Sequence, residues 1–406
     1  MRIVYLHQYF NTPDQPGSTR SYEFARRLAA RGHDVKIVTS ERGPGSSAKW
    51  SAATIDGFEV HRRQVPYDNT MGAIARLRAF ATFAVSAASK ARKLHGDVIF
   101  ATSTPLTIIL PAWFAAAGRR TPIVFEVRDS WPTVPIALGY LNNPLAQRAA
   151  RALERFAYRK SSQVVALSPG MKDDACQHGA EASKITVIPN AADVELFDVD
   201  PAVGVEWRAA NDISPDAPLI VYTGTFGAAN EVEYLVDVAA EAVRLDPTIV
   251  FALIGTGARE ASVRARAASV NLLGTTVRVL PPVSKNEVSR ILAAADIATS
   301  VVTENPAMNA NSANKFFDTL AAGRAIAINH EGWQADLIRE HSVGLVLDRK
   351  DVAAAARSIL ALATNAEALA ATQDRARALA RSDFARDDLA IKLAEVLESV
   401  APPSAS

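Results

Sequence analysis

The feature that most constrains the fold is an alternation of short apolar runs with helical patterns, which occurs twice along the chain. Apolar strands alternate with helices when a parallel sheet is covered by helices on both faces. The predicted strands of the first half are 2–6, 34–39, 97–100, 122–127, 163–166 and 185–188, and those of the second half are 219–222, 249–254, 277–280, 297–301, 325–328 and 344–347. The sequence therefore predicts two doubly wound, Rossmann-like α/β domains.

The boundary between these domains is predicted at 198–218, a segment with three prolines and several small or acidic residues. The first domain then covers 1–197 and the second covers 217–386, with a helical remainder that runs to about residue 400. A chain of 406 residues is too long for one ordinary hydrophobic core, which also favours two domains.

Composition excludes several classes of function. Apolar residues make up 49% of the chain and charged residues 21%, and the net charge of +1 gives no general attraction to nucleic acid. Cys176 is the only cysteine, so neither an internal disulfide nor a multi-cysteine metal site can form. The seven histidines lack metal-ligand spacing, so we expect no metal and no cofactor. The most apolar run, 105–118, is too short to span a membrane, which favours a cytoplasmic protein.

One motif, Ala-Asn-Ser-Ala-Asn-Lys-Phe-Phe-Asp-Thr-Leu-Ala-Ala-Gly at 310–323, leads from a polar loop into an apolar helix that ends at Gly323. The first amides of a helix have no intrahelical partner and lie at the positive end of its dipole, so they favour a phosphate. Lys315 adds a positive charge there, and Asp318, one turn later, can accept hydrogen bonds from a ribose. An ordinary capped helix that packs its phenylalanines into a core is the alternative interpretation.

Other loops after predicted strands also carry candidate residues. Gly17 follows the first strand of one half, and Gly224 and Gly227 follow the first strand of the other. Glycine lets the backbone approach a ligand closely, although a tight turn also needs it. The dinucleotide pattern Gly-x-Gly-x-x-Gly and the P-loop are both absent from the sequence.

Arg128 and Asp129 lie in the loop Glu126-Val127-Arg128-Asp129-Ser130-Trp131-Pro132, which leaves a predicted strand. Ligands of doubly wound sheets bind beyond the carboxyl ends of the strands, so this loop is predicted to bind a ligand. A structural Arg–Asp pair covered by Trp131 is the alternative. The polar loop 303–309 is predicted either to contact a sugar or to be an ordinary surface loop.

Several segments form a recognisable series along the chain. They are Tyr5-Leu6-His7-Gln8-Tyr9-Phe10 with Gly17, Leu28-Ala29-Ala30-Arg31-Gly32-His33-Asp34-Val35, Phe125 to Pro132, Val187-Ile188-Pro189-Asn190-Ala191-Ala192-Asp193, Tyr222-Thr223-Gly224, and Asn314-Lys315-Phe316-Phe317-Asp318 with Ala321-Ala322-Gly323. Together they resemble the family 4 retaining glycosyltransferases of bacterial surface-polysaccharide assembly. The resemblance extends nearly from end to end, and its specificity lies in the order of the segments.

This resemblance implies the GT-B fold, in which an N-terminal acceptor domain and a C-terminal donor domain face a central cleft. The last helix, about 387–400, would cross back to the first domain. The donor would be a nucleoside diphosphate sugar, with UDP chosen by family frequency. The implied donor-binding residues are Gly17, Gly224, Thr225, Phe226, Asn311, Ser312, Ala313, Asn314, Lys315 and Asp318. Asp318 would bind the ribose, and the amides of residues 312–314 would bind the diphosphate.

The implied reaction retains the anomeric configuration by same-face attack and requires neither a protein nucleophile nor a metal. Lys315 and Arg128 are the predicted catalytic cations that stabilise charge on the leaving group, and Asp129 would orient or deprotonate the acceptor. Two features depart from the family pattern. Ala310 stands where many members have a sugar-binding Glu, and Thr225 and Asn230 stand where a loop Arg and Lys are usual.

The acceptor is predicted to be a glycan, a lipid-linked sugar or a small molecule. A basic amphipathic surface would suit a peripheral contact with the inner membrane leaflet, and ordinary helices with solvated arginines are the alternative. The residues concerned are Leu77, Phe80 and Phe83 with Arg76, Arg78, Lys90, Arg92 and Lys93, then Arg119, Arg120, Arg148, Arg151, Arg155, Arg159 and Lys160.

Two other functions remain open from the sequence. A nucleotide-sugar epimerase shares the GT-B architecture, but it would be expected to cluster acidic and histidine groups at the donor sugar. A catalytically silent nucleotide-sugar-binding subunit is favoured by the missing Glu and the missing loop cations.

Overall fold

A computed structural model describes residues 1–15, 17–41, 50–65, 71–191 and 193–402. The chain forms two compact units. The first unit contains Met1–Thr12, Ser18–Pro189 and Asp387–Ser406, and the second contains Pro13–Gly17 and Asn190–Arg386.

The first unit alternates strands and helices as the sequence predicts. Its elements within the described residues are β1 (Arg2–Leu6), α1 (Arg20–Ala30), β2 (Asp34–Glu41), β3 (Trp50–Ile55), β4 (Phe58–Gln64), α2 (Ala73–Leu94), β5 (Val98–Thr102), α3 (Ile109–Ala116), β6 (Ile123–Val127), α4 (Thr133–Ala137), α5 (Pro144–Lys160), β7 (Gln163–Ala166), α6 (Pro169–Gln177) and β8 (Ile185–Val187). A short 3₁₀ helix, Leu106–Ile108, precedes α3.

The strands of this unit form a sheet in the order β3-β4-β2-β1-β5-β6-β7-β8. Every neighbouring pair in it is parallel except β3 and β4. The strands β5 and β6 are buried along their whole length because helices cover both faces of a parallel sheet. Because β1 and β6 are parallel, the loops that follow them, with His7 and Arg128, lie at the same edge of the sheet.

The antiparallel hairpin of β3 and β4 was not predicted. Its turn is Asp56-Gly57, with φ of 42° at Asp56 and 85° at Gly57. Positive φ at both central residues is what a type I′ hairpin turn requires, and Asp-Gly is a preferred pair for it. β3 has no buried residue, so it carries no apolar run that would mark it as a strand.

The second unit repeats the same architecture. Its elements are α7 (Val194–Phe197), α8 (Pro201–Ala210), β9 (Leu219–Thr223), α9 (Glu233–Leu245), β10 (Val250–Ile254), α10 (Glu260–Ser269), β11 (Val277–Leu280), α11 (Lys285–Ala294), β12 (Ile297–Ser300), α12 (Asn314–Ala321), β13 (Ala325–Ile328), α13 (Trp333–His341), β14 (Gly344–Val346), α14 (Val352–Ala363) and α15 (Ala366–Asp383). A 3₁₀ helix, Pro306–Ala310, precedes α12.

The described strands of the second unit form a parallel sheet in the order β11-β10-β9-β12-β13-β14. One hydrophobic cluster packs α12 and α15 on one face, and another packs α9 and α14 on the other. The strand order reverses between β9 and β12, and ligands of doubly wound sheets bind at such a switch point. The loops after β9 and β12 are therefore the positions at which a ligand is expected.

The division between the units differs from the predicted boundary at 198–218. That segment belongs to the second unit, where Trp207, Ile213 and Ala217 lie in the hydrophobic core. Pro201 occupies the start of α8, and the Asp200 side chain caps this helix by accepting from the amide of Ala202 at 2.8 Å. Proline is favoured at the first position of a helix, so the feature interpreted as a linker is a helix start.

The last helix, α16 (Arg386–Val400), belongs to the first unit from Asp387 onward. Glu398 lies 3.0 Å from Nε2 of His33, and Asp387 accepts from Arg27 on α1. Within the described chain, none of the helices combines the length and the apolar character that crossing a membrane requires.

Candidate functional site

The start of α12 has the form that the sequence predicts. Ala313 precedes the helix in an extended conformation, and no side chain of the described residues caps it. Gly323 ends this segment with φ of +58°, and a Cβ there would lie 2.5 Å from the Arg377 guanidinium. The leading amides therefore remain available to an anion at the positive end of the helix dipole.

The loop before α12 is fixed by bonds that leave these amides available. The carbonyl of Ser312 accepts from Nδ2 of Asn190 at 2.6 Å, and Oγ of Ser312 accepts from the Asn190 amide at 3.3 Å. The indole Nε1 of Trp333 donates to the carbonyl of Asn311 at 2.7 Å. Two carbonyl groups and one hydroxyl oxygen accept these contacts, so the backbone amides of the loop are held in place without being occupied.

Lys315 connects the start of α12 to the end of β9. Its Nζ lies 3.9 Å from the centroid of the Tyr222 ring, a distance typical of a cation–π contact. A Cβ on Gly224 would come within 2.9 Å of the same nitrogen, and Gly224 has φ of +143°. A side chain at Gly224 would therefore be strained and would collide with Lys315.

The electrostatic position of Lys315 is unfavourable without a ligand. Burial lowers the pKa of Lys315 to about 7, and the opposing attraction of Asp318 only partly offsets this effect. Lys315 is also the second residue of α12, where the helix dipole disfavours a cation. A negatively charged ligand at this position would remove both penalties.

The loop after β9 is shaped by its own hydrogen bonds. The carbonyl of Thr225 accepts from the Tyr222 hydroxyl at 2.8 Å and from Nδ2 of Asn230 at 2.9 Å. The Phe226 ring is completely buried in the core, and its amide donates to the carbonyl of Thr256 at 2.9 Å. Gly224 and Thr225 are exposed, whereas Phe226 is buried. Phe226 therefore anchors the loop in the core and does not face a ligand.

Asp318 is buried, with 6% of its surface exposed, and one of its carboxylate oxygens accepts from Nζ of Lys285. The other oxygen, Oδ1, has no hydrogen-bond partner among the residues that the structure describes. Nζ of Lys285 also lies 5.2 Å from the centroid of the Phe197 ring. The carboxylate is thus fixed on one side, and its other oxygen is buried without a partner among the described residues.

Lys285 contacts the candidate residue Asp318, and the sequence analysis did not single it out. It is the first residue of α11, a second cation at the positive end of a helix. That placement was a weak signal, because a lysine at a helix start is mildly unfavourable and favours a neighbouring negative group. Its partner Asp318 is distant in sequence, so the pairing itself could not be predicted.

The candidate residues of the first unit lie at its own sheet edge. Nη2 of Arg128 donates to Oγ of Ser18 at 2.8 Å, and Nη1 lies 3.2 Å from Nε2 of His7. Asp129 is exposed and accepts from Oγ1 of Thr104 at 2.8 Å. Arg128 and Asp129 form no ion pair in the described structure, which argues against the structural-pair alternative. Gly17, which belongs to the second unit, is exposed, with φ of +126°.

A buried ion pair supports this edge. Arg20 and Glu126 are fully buried, with Nη2 of Arg20 at 2.8 Å from Oε1 of Glu126. Arg20 also donates to the carbonyl of Pro189 at 2.6 Å and to that of Ile188 at 2.9 Å. Burial lowers the pKa of Arg20, while the attraction of Glu126 opposes this effect. The pair connects α1, β6 and the end of β8, and its role is structural.

One cluster in the described part of the chain has the composition of a metal site. Single ligand atoms of Glu154, Asp174 and His178 lie within 4.8 Å of one another. Arg151 already pairs with Glu154 at 3.0 Å, and Thr133 donates to Asp174 at 3.0 Å. Burial raises the pKa of Glu154. These carboxylates already have partners, which disfavours a metal at this cluster. The expectation that the protein needs no metal is untested and stays a prediction.

Comparison with known proteins identifies two domain families in this chain. Residues 17–191 match a glycosyl transferase 4-like domain, and residues 217–365 match the glycosyl transferases group 1. A relative in Escherichia coli (strain K12), assigned to colanic acid biosynthesis as the glycosyl transferase WcaI, is 23% identical over 335 residues. That alignment covers 77% of this chain and 79% of the relative.

Solved glycosyltransferase structures share the whole architecture. Sucrose-phosphate synthase from Thermosynechococcus elongatus has a TM-score of 0.80 at 15% identity, covering 98% of each chain. HepE of Anabaena, in complex with UDP and glucose, has a TM-score of 0.74 at 17% identity, covering 98% of this chain and 100% of its own. WaaG, a glycosyltransferase involved in lipopolysaccharide biosynthesis, has a TM-score of 0.72 at 17% identity, covering 97% and 99%. The predicted GT-B fold is confirmed.

Proposed function

The chain belongs to the glycosyltransferases that join a glycosyl transferase 4-like domain to a glycosyl transferases group 1 domain, and on this premise we propose its donor, acceptor and mechanism. The donor is a UDP-sugar, and the acceptor is a glycan, a lipid-linked sugar or a small molecule. The sugar is transferred with retention of anomeric configuration and without a metal. HepE, a structural neighbour, is known in complex with UDP and glucose, which supports this choice of nucleotide.

A single observation carries the donor proposal, namely the position of Lys315. The ammonium lies at the positive start of α12, beside the exposed backbone of Gly224, where burial lowers its pKa to about 7. A site that concentrates positive charge in this way is complementary to an anion. The diphosphate of the donor would be bound by the amides of Ser312, Ala313 and Asn314 together with Lys315.

The same groups would stabilise the transition state. As the anomeric bond breaks, negative charge grows on the departing diphosphate oxygen, and fixed dipoles and cations lower the energy of that charge. Lys315 and the helix start supply both, which supports a mechanism that needs no metal. Retention would follow from attack on the face that the leaving group vacates, with the departing phosphate accepting the acceptor proton.

Asp318 is proposed to bind the ribose. Lys285 holds one of its carboxylate oxygens, and Oδ1 has no partner among the described residues. A ribose hydroxyl would donate to this free oxygen. Lys285 would act as a positioning residue that keeps Asp318 ionised and correctly oriented.

In the first unit, Asp129 is proposed to orient the acceptor hydroxyl, because its carboxylate is exposed and bonded only to Thr104 among the contacts described for it. Arg128 is proposed as a second cation for the leaving group. Gly17, which belongs to the second unit, is proposed to approach the diphosphate through its backbone.

A lipid-linked acceptor and a peripheral membrane contact on the cytoplasmic side are supported by α3. Leu110, Trp113 and Phe114 are 41%, 42% and 50% exposed, and Arg92 donates to the carbonyl of Ala117 at 2.7 Å beside them. Exposed aromatic side chains flanked by basic residues suit an anionic lipid surface. The side chains of Arg76 and Leu77, predicted to join this surface, lie outside the described residues.

The experiment that tests this function combines binding with product analysis. Calorimetry with UDP and a panel of UDP-sugars should show binding to the wild type and to Lys350→Met, an exposed lysine variant of the same unit, and weaker binding to Lys315→Met. Failure of every nucleotide to bind would refute the donor proposal.

Product analysis then separates the remaining alternatives. Incubation with donor alone should leave the sugar stereochemistry unchanged apart from slow hydrolysis, whereas an epimerase would alter it. Turnover with a glycan or lipid-linked acceptor should give a product of retained configuration. Tight donor binding without turnover across all acceptor classes would identify a silent binding subunit instead.

A further inference from the structure

Asn190 belongs to the segment 187–193, to which the proposed function gives no role. The residue is 4% exposed and lies in the second unit. Its Nδ2 donates to the carbonyl of Ser312 at 2.6 Å, and its backbone amide donates to Oγ of Ser312 at 3.3 Å. Asn190 therefore holds Ser312 at two points, the backbone carbonyl and the hydroxyl.

Trp333 makes a second contact with the loop before α12. It is the first residue of α13, and its indole Nε1 donates to the carbonyl of Asn311 at 2.7 Å. Gly332, with φ of +102°, permits a close approach to this loop, because a Cβ there would lie 2.3 Å from the carbonyl oxygen of Asn309. The Trp333 ring also packs on Phe317 of α12, with 5.9 Å between the ring centroids. Trp333 therefore ties the loop to the helix that follows it.

These two contacts determine the direction of backbone amides, because a peptide bond is planar and trans. The carbonyl of one residue and the amide of the next point in opposite directions. The bond from Trp333 to the carbonyl of Asn311 thus fixes the direction of the Ser312 amide. The bond from Asn190 to the carbonyl of Ser312 fixes the direction of the Ala313 amide in the same way.

The amide of Ala313 is the more accessible of these two donors. Ala313 is half-buried, whereas Ser312 is only 5% exposed. The Ala313 amide donates to none of the residues that the structure describes, and the carbonyl of Ala313 accepts from the Phe316 amide at 3.2 Å. The loop thus presents a donor of fixed direction at the positive end of the α12 dipole.

We infer that Asn190 and Trp333 are positioning residues, which fix Ser312 so that the amide of Ala313 points at the donor diphosphate. The inference rests on the proposed function, since it assigns the residues that orient a proposed phosphate-binding amide. Both residues act by preventing rotation of a peptide group before the nucleotide arrives. A loop that had to order the backbone of one residue on binding would bind about five- to thirtyfold more weakly.

The test compares UDP affinity with stability in variants of the full-length protein. Asn190→Ala should weaken UDP binding in calorimetry about five- to thirtyfold, because the peptide after Ser312 is then free to rotate. The matched control is Asn329→Ala, since Asn329 is 2% exposed and its side chain bonds the backbone of Val302 in the loop after β12. Both variants should lose comparable free energy of unfolding in urea, but only Asn190→Ala should lose UDP affinity.

Trp333→Phe makes the same comparison for the second contact. Phenylalanine keeps an aromatic ring against Phe317 and removes the indole N–H, so UDP affinity should fall about two- to tenfold, the effect of losing one hydrogen bond. Trp207→Phe is the matched control, because Trp207 is buried in the hydrophobic cluster of the same unit. Its UDP affinity should equal that of the wild type.

A third measurement reports on the amide itself. In wild-type protein labelled with ¹⁵N-alanine, UDP should shift the amide resonance of Ala313, because this amide gains an anionic acceptor. In Asn190→Ala saturated with UDP the shift should be smaller. A loss of stability alone would not produce that difference, since the binding site is fully occupied in both samples.

Two results would overturn the inference while UDP still binds the wild type. One is an Ala313 resonance that UDP leaves unchanged, and the other is equal UDP affinity in the wild type, Asn190→Ala and Trp333→Phe. If Asn190→Ala does not fold, the wild-type resonance and Trp333→Phe decide the question. Failure of the wild type to bind UDP would instead refute the proposed function itself.

Discussion

Replacement of Lys315 by methionine gives the sharpest test of the proposed diphosphate site. Methionine keeps a long apolar side chain and removes the ammonium. Because burial lowers the pKa of Lys315 from 10.5 to about 7, the charged form in the empty site costs roughly 5 kcal/mol relative to the charged form in the unfolded chain. Removing this cost should change the pH dependence of both stability and donor binding.

The lowered pKa of Lys315 determines how the stability of the native protein depends on pH. Between pH 7 and 10.5 the unfolded chain binds the proton and the native protein does not, so native stability rises with pH in this window. Below pH 7 the side chain is charged in both states, so the full cost of burying the charge destabilises the native protein. Lys315→Met should therefore be more stable than the wild type near pH 7, and its stability should lose this rise with pH.

Donor binding should show the opposite dependence. An anion favours the protonated lysine, so above pH 7 the wild type must take up a proton as it binds, and affinity should fall about tenfold per pH unit. Calorimetry with a UDP-sugar at pH 7.0 and 8.5 measures this fall. Lys315→Met should bind weakly with little change between the two pH values, and the control Lys350→Met should follow the wild type.

Turnover provides the second readout for the same variant. Charge on the leaving group grows in the transition state, so Lys315→Met should lower kcat about a hundredfold and weaken donor binding less. Wild-type affinity that is equal at both pH values, or near-normal turnover in Lys315→Met, would refute the reasoning. The remaining charge would then have to come from Arg128 or another basic residue.

The remaining predictions concern the ribose carboxylate, the buried ion pair and the metal. Asp318→Asn should weaken UDP binding by about 1–3 kcal/mol in calorimetry, and an unchanged affinity would remove Asp318 from the site. Lys285→Met should weaken UDP binding through Asp318, so in the double variant the two effects should be less than additive. Arg20→Met should lower the free energy of unfolding in urea by about 3–5 kcal/mol, because Glu126 remains buried and charged. Turnover should persist in excess chelator, and a loss that magnesium or manganese restores would contradict the metal-free mechanism.

Strands with continuous apolar runs were predictable from the sequence, because a strand that is buried on both faces consists almost entirely of apolar residues. The hairpin of β3 and β4 could not be predicted in this way, because β3 has no buried residue and so no apolar run. Only the turn Asp56-Gly57 indicated a hairpin there. The start of α8 was misinterpreted because Pro201 suits both a linker and the first turn of a helix. Local patterns thus identified buried elements more reliably than exposed ones.

Prediction of the candidate site was limited by contacts between residues that are distant in sequence. The sequence singled out the loop before α12, with Lys315 and Asp318, because its residue types suit a phosphate and a ribose. The contact of Lys315 with Tyr222 and the pairing of Lys285 with Asp318 depend on how distant segments pack, and no local pattern encodes them. The roles of all these residues stay predictions until ligand binding is measured.

The two lysines at the positive ends of α11 and α12 have a consequence for release of the product. Transfer leaves a nucleoside diphosphate with one more ionisable oxygen than the donor had, so a site with concentrated positive charge holds the spent nucleotide more tightly than the fresh donor. If the proposed site binds the nucleotide, product inhibition and a slow release step would follow from the same electrostatics that would promote bond cleavage. A bound nucleotide would raise the pKa of Lys315 above its value of about 7 in the empty site, so only a higher pH would remove the proton and weaken that hold.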